Sequence, residues 1–86
     1  LEVYYFTDRS KALAADIATS ISASTGRPNR GDAQSYYVVT KMTYCPAVLT
    51  EIGYIVNPAE YEELLRPETI FRTAASFTKS ILDALA

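Results

Sequence analysis

Residues 46–65 read PAVLTEIGYIVNPAEYEELL, and how the chain folds turns on how that stretch divides. Its first half carries Val48, Leu49, Ile52, Ile55 and Val56, all residue types that favour burial, with an ionisable Glu51 among them. The apolar start suits a strand, AVLTEIGYI, covered on both faces. Gly53, just past Glu51, permits a bend or the close approach of another group to the backbone. The second half opens on a helix start. Asn57 serves as N-cap, Pro58 sits at the first helical position where its missing N–H costs nothing, and Glu60 is placed to reach back as in a capping box. A short helix, AEYEELL, then stops before Pro67.

Upstream, LEVYYF (1–6) is rich in β-branched and aromatic residues and predicts a strand. TDRS (7–10) offers N-cap candidates. In KALAADIATSISAS the residues Leu13, Ile17 and Ile21 recur every four positions beside Ala14 and Ala18, which predicts a helix from about Ser10 to Ser22. TGRPNRGDAQ (25–34) collects turn formers and reads as a surface loop, SYYVVTK as a second strand, and TYCP (43–46) as a break before the third. Downstream, Ile70, Ala74, Phe77, Ile81 and Leu85 form one stripe flanked by Phe71, Ala75 and Leu82. That is a long amphipathic helix expected to pack on a sheet.

The order strand, helix, strand, strand, helix, helix describes an α/β protein with a small mixed sheet. Three strands are few for two packing helices. Residues 1–86 are therefore expected to be a single partial domain, the C-terminal portion of a twisted mixed sheet flanked by amphipathic helices, with the first strands upstream of Leu1. Alone, such a piece is expected to be poorly stable, because its helix stripes and strand edges lack the sheet they cover.

Composition narrows the function classes. The 86 residues are 49% hydrophobic and 21% charged, an ordinary globular balance. A formal charge of −2 with scattered Lys and Arg, of which Arg27 and Arg30 come nearest to a pair, argues against nucleic acid. Apolar runs are too short to span a bilayer, and no charged-then-apolar leader opens the chain, so an export signal is expected outside it or not at all. Cys45 is the only cysteine, which excludes an internal disulfide. The chain has no histidine, so the commonest metal ligand and the commonest general base are both missing.

Among the remaining candidates, Glu51 stands in a context that desolvates a carboxylate and raises its proton affinity toward general-base work; the competing reading is a solvent-facing Glu on an edge strand. Glu2 reads as a solvent-facing strand charge, with metal holding or pairing to Arg30 as the alternative. Asn29 and Arg30 could present a guanidinium fork to a ligand carboxylate or carbonyl, or simply be solvated. Cys45 lacks a His to activate it as a nucleophile. Tyr4, Tyr5, Tyr36 and Tyr37 form two pairs read as core packing with hydroxyls at the rim, or as the aromatic lining of a glycan or peptide groove. Glu60, Glu62 and Glu63 read as a solvated face near a helix N-terminus.

The pattern of Pro46, Ala47, Val48, Leu49, Glu51, Gly53, Tyr54, Asn57 and Pro58, preceded by NRG (29–31) and followed by an amphipathic helix, resembles the C-terminal half of the zinc-dependent N-acetylmuramoyl-L-alanine amidases of the amidase-3 family. LEVYYFTDRSKALAADI resembles the family segment after its last zinc-binding strand, so the likeness spans nearly the whole chain. It implies cleavage of the amide between N-acetylmuramic acid and L-alanine in peptidoglycan, with Glu51 as the catalytic glutamate beside a zinc ion, acting as general base and then acid. It also implies substrate contacts by Asn29 and Arg30, and a secreted, cell-wall or periplasmic setting or a phage lysin. After the Arg-Gly the family usually continues with an aliphatic and a basic residue, where this chain has Asp32 and Ala33. The family's two histidines and a glutamate that hold zinc lie upstream of the region matched, so the upstream half of the domain is the implied partner. The alternatives are a non-catalytic amidase-like module that binds or regulates at the cell wall, and an unrelated small α/β domain.

Overall fold

The computed structural model describes residues 1–42 and 44–85. Thr43, at the head of the expected break, and Ala86 lie outside the described residues. Six elements succeed one another along the chain: β1 (Glu2–Tyr5), α1 (Asp8–Thr25), β2 (Asp32–Gln34), β3 (Val48–Glu51), α2 (Pro58–Leu64) and α3 (Pro67–Leu85). The sheet is mixed, in the order β2-β1-β3. β1 runs parallel to β2 with Val3 opposite Asp32, and antiparallel to β3 with Glu2 opposite Glu51 and Tyr4 opposite Leu49.

Alternation along β1 divides its side chains cleanly. Val3 and Tyr5 are buried under α1, whereas Glu2 and Tyr4 point to the other face and are half-buried. The core is Leu1, Val3 and Tyr5 against Ala14, Ile17, Ala18 and Ile21, with Leu13, Val48, Ile52 and Phe77 packed at its edge. The four-residue stripe of α1 thus does what its spacing predicts. The helix is longer than expected at both ends. Thr7 is the extended residue before it, Ser10 is fully buried with its hydroxyl accepting from the Ala47 N–H at 2.9 Å, and Gly26 ends it in the left-handed conformation (φ 78°), donating its N–H to Ser22 O.

Two expectations about the middle of the chain are overturned. The segment read as a surface loop contains β2, and SYYVVTK is not a strand: residues 38–41 form a turn, and residues 36–42 are exposed except for Thr40. The strand at Asp32–Gln34 owes its existence to β1 rather than to propensity. Val3 N–H donates to Gly31 O, Arg30 N–H to Leu1 O and Ser35 N–H to Tyr5 O, so the β1 edge templates whichever residues arrive beside it. The next turn is organised by fully buried Thr40, whose hydroxyl donates to Ser35 O at 2.8 Å and accepts from Tyr37 N–H at 2.9 Å. With the turn closed this way, Tyr36 and Tyr37 are exposed instead of core.

β3 ends at Glu51, shorter than AVLTEIGYI, and all four of its residues are half-buried rather than covered on both faces. The last helix also departs from its expected packing. α3 lies on α1, not on the sheet, and it does so through Thr69, Thr73, Ser76, Phe77 and Ser80. The Ser80 hydroxyl donates to that of Ser20 at 3.2 Å, and Arg72 donates to Ser24 O. The small polar side lets the helices approach closely, which leaves Ile70, Phe71, Ile81, Leu82 and Leu85 exposed.

Candidate active site

The antiparallel register of β1 and β3 sets Glu2 directly across from Glu51. Residues opposed in this way project to the same side, with Cα atoms about 4.5–5.5 Å apart. Two carboxylates therefore share the sheet face that α1 does not cover. Like charges so placed repel unless one is held by donors, and Glu2 is the one held. Tyr54 donates its hydroxyl to Glu2 Oε1 at 3.0 Å and Tyr4 donates to Oε2 at 3.1 Å. These bonds, first from Tyr54 and then from Tyr4, hold the Glu2 carboxyl below its usual range, with the Arg30 charge acting in the same direction. The same contacts push Tyr54 up, and push Tyr4 up to about 12. Glu51 is half-buried, and no hydrogen bond among the described residues engages its carboxylate. Of the pair, it is the acceptor left open to a ligand or water.

Arg27 locks the residues just after Glu51 in place. The guanidinium is buried, donates Nε–H to Ile52 O at 3.0 Å, and pairs through Nη2 with Glu60 Oε1 at 2.8 Å. Glu60 Oε2 in turn accepts from the Tyr54 N–H at 3.1 Å. Gly53 lies between these contacts, and a Cβ there would overlap Arg27 Nη2. The expected close approach at Gly53 is therefore made by a buried cation. Asn57 caps α2 as its sequence signature predicts, its Oδ1 accepting from Ala59 N–H at 3.0 Å and Glu60 N–H at 3.2 Å. Glu60 does not complete a capping box and does not belong to a solvated face. Its carboxylate is engaged by Arg27 and Tyr54, while the Asn57 N–H donates to Tyr54 O.

Asn29 and Arg30 sit on the β2 side of the sheet, in the turn that delivers β2. Asn29 Oδ1 accepts from the Gly31 N–H at 2.6 Å and so shapes the turn, with Gly31 at φ 87°. The Arg30 side chain is exposed, and its charge reaches both Glu2 and Tyr54. The structure thus gathers Glu51, Glu2, Tyr4, Tyr54 and Arg30 on one face, and gives Asn29 a turn-forming bond beside it. The sequence presents Glu2 only as a strand charge, Tyr54 only as part of a pattern, and Arg27 only as half of a weak basic pair. The period-two placement of Glu2 and Tyr4 is the one local signal of their shared face; register and the Arg27 pairing carry no local mark.

Among the described residues no group of three or more His, Cys, Asp or Glu is arranged to hold a metal ion. A catalytic zinc requires three protein ligands and an open position, and Glu2 with Glu51 falls short of that set. No helix among the described residues is long and apolar enough to cross a membrane.

The model of the N-acetylmuramoyl-L-alanine amidase family, amidase-3, matches residues 1–83. The chain is 41% identical over 58 residues to the probable cell wall amidase LytH of Staphylococcus saprophyticus, an overlap covering 67% of this chain and 20% of that protein. It is 40% identical over 60 residues to LytH of Staphylococcus aureus, covering 70% and 21%. The chain therefore matches about a fifth of the length of these curated relatives. The crystal structure of an N-acetylmuramoyl-L-alanine amidase from Clostridium difficile superimposes with a TM-score of 0.90 at 25% identity, over 98% of this chain and 47% of that one. Because the family pattern runs through every element from β1 to α3, and the fold agrees with that of a solved amidase, this chain belongs to the N-acetylmuramoyl-L-alanine amidase family.

Proposed function

We propose that this chain forms the part of a peptidoglycan amidase domain that carries the proton-transferring carboxylate, and that Glu51 is that carboxylate. The observation that supports this reading is the pairing of Glu51 with Glu2 on the open sheet face, where Glu2 is tied up by two tyrosines and Glu51 has no hydrogen-bond donor among the described residues. Glu51 takes a proton from the attacking water as oxygen adds to the N-acetylmuramoyl carbonyl carbon. It then gives that proton to the nitrogen as the C–N bond breaks, so that L-alanine leaves as a free amine and the lactyl group as a carboxylate. Arg30, exposed beside the face, pairs with a carboxylate or carbonyl of the substrate, and the amide of Asn29 supports it. Zinc, held by ligands that this histidine-free chain does not supply, contributes Lewis acidity to the carbonyl and acidifies the water when bound. The reaction takes place at the cell wall, outside the cytoplasmic membrane.

The test uses the intact protein that carries this chain. Glu51→Gln is expected to lower the release of L-alanyl peptides from peptidoglycan by about 10²–10⁴-fold with zinc content retained, as loss of a general base requires. Loss of zinc together with activity would make Glu51 a ligand or a structural residue. A parent protein that binds no zinc and releases no L-alanyl peptide would instead be a non-catalytic wall-binding module.

A further inference from the structure

Tyr36 and Tyr37, which the sequence assigns to the core with Tyr4 and Tyr5, are at the surface, and the structure fixes them there. Along the open face of β1, Glu2 is succeeded by Tyr4 and then, continuing the alternation, by Phe6. Each two-residue step advances about 6.6 Å, so the row runs about 13 Å away from Glu51. Tyr37 meets Tyr4 edge to face with ring centroids 5.4 Å apart, and Tyr36 meets Phe6 in the same manner at 4.7 Å. Tyr36 is 64% exposed and Tyr37 41% exposed. Lys41 Nζ stands 5.4 Å from the Tyr36 ring centroid. Tyr54, bound to Glu2, begins the row at the Glu51 end.

Rings left on a surface by accident have no reason to be braced. Here the turn that carries Tyr36 and Tyr37 is closed by the buried Thr40 hydroxyl and tied to the end of β1 by Ser35 N–H to Tyr5 O and by Gln34 Nε2 to Phe6 O. A rigid surface line of aromatic rings with phenol groups suits a ligand that offers apolar C–H faces rimmed by hydroxyls and amides. Of the two halves of the scissile amide, only the sugar half has that chemistry. The stem peptide is the ligand for charged groups such as Arg30, which stands on the β2 side of the face.

We infer that the Tyr54–Tyr4–Tyr37–Tyr36 row is the glycan-strand subsite, seating the sugar rings that lead up to the N-acetylmuramoyl group at Glu51. The inference deepens the amidase reading and rests on it for the identity of the polymer. Its test is a binding measurement, which separates it from catalysis. The intact protein carrying Glu51→Gln is titrated calorimetrically with soluble peptide-free peptidoglycan glycan and, separately, with sugar-free stem peptide. Tyr36→Ala and Tyr37→Ala are each expected to weaken glycan binding about tenfold and to leave stem-peptide binding within about twofold, with Tyr37→Phe recovering most of the loss because the ring remains. Tyr36 is exposed enough that its truncation leaves the fold intact, which circular dichroism verifies. Unchanged glycan binding in both alanine variants overturns the assignment, and so does an equal loss for the sugar-free peptide. An inactive parent protein that still binds glycan through Tyr36 and Tyr37 would refute the amidase proposal alone.

Discussion

The contact between Arg27 and Glu60 makes an asymmetric prediction that a denaturation experiment can read. The Arg27 side chain is 4% exposed and that of Glu60 is 30% exposed. Removing Glu60 therefore strands a cation that water cannot reach, whereas removing Arg27 strands a carboxylate that water can partly rehydrate. Breaking a fully buried pair costs about 3–5 kcal/mol, and the partial exposure of Glu60 brings the loss of Arg27 below that range. For Arg27→Met, which keeps the apolar stem volume, the loss of the charged bond to Ile52 O and of the pair comes to about 2–3 kcal/mol. Glu60→Ala leaves the guanidinium buried without its counter-charge, removes the acceptor of the Tyr54 N–H, and takes an acidic residue from the first turn of α2. We expect about 3–5 kcal/mol for it. Urea denaturation of the intact protein, followed through the transition of this domain, measures both. The reasoning fails if Arg27→Met costs as much as Glu60→Ala or more. Gly53→Ala is the internal control: its methyl displaces the guanidinium without removing either charge, so it should weaken the same network while adding little in the Glu60→Ala background.

The Thr50 hydroxyl is buried on the α1 side of the sheet with no hydrogen-bond partner among the described residues, so Thr50→Val should stabilise the domain by about 1 kcal/mol, seen as a higher urea midpoint. Tyr4 should ionise at about 12 in a spectrophotometric titration of tyrosinate, and Glu2→Gln should return Tyr4 and Tyr54 toward the ordinary tyrosine range; a Tyr4 transition unmoved by that change would remove Glu2 as its cause. The signs of the two linkages are opposite. Glu2 has a depressed folded pKa, so its contribution is present above the ordinary glutamate value of 4.5 and is lost as pH falls through the folded value. Tyr4 has a raised one, so its contribution is complete below the ordinary tyrosine value of 10.0 and is lost as pH rises through about 12.

Much of this architecture is legible in the residues because its cause is local. The stripe of α1, the Asn57-Pro58 start of α2 and a strand that carries Glu51 all arise from periodicity and capping within a turn or two of chain, and the structure contains each of them, although the strand stops at Glu51. SYYVVTK misleads because β propensity alone does not make a strand. The parallel edge of β1 is already filled by Asp32–Gln34, which reaches it first from the Gly31 turn, and Thr40 closes the next residues into a turn. The stripe of α3 misleads in the opposite sense, since serine and threonine give the closer helix contact and the apolar side stays outside.

The site divides along the same line. By itself the sequence determined that Glu51 lies on a strand between an apolar run and a glycine, with a capped helix next, since these are statements about neighbours in the chain. Only the tertiary structure decided that Glu2 faces Glu51 and is held by Tyr4 and Tyr54, that Arg27 fills the space Gly53 leaves, and that Tyr36 and Tyr37 extend the same face. Strand register, a buried ion pair and the outward setting of a turn depend on which distant surfaces meet, and that is settled by the packing of α1 on the sheet.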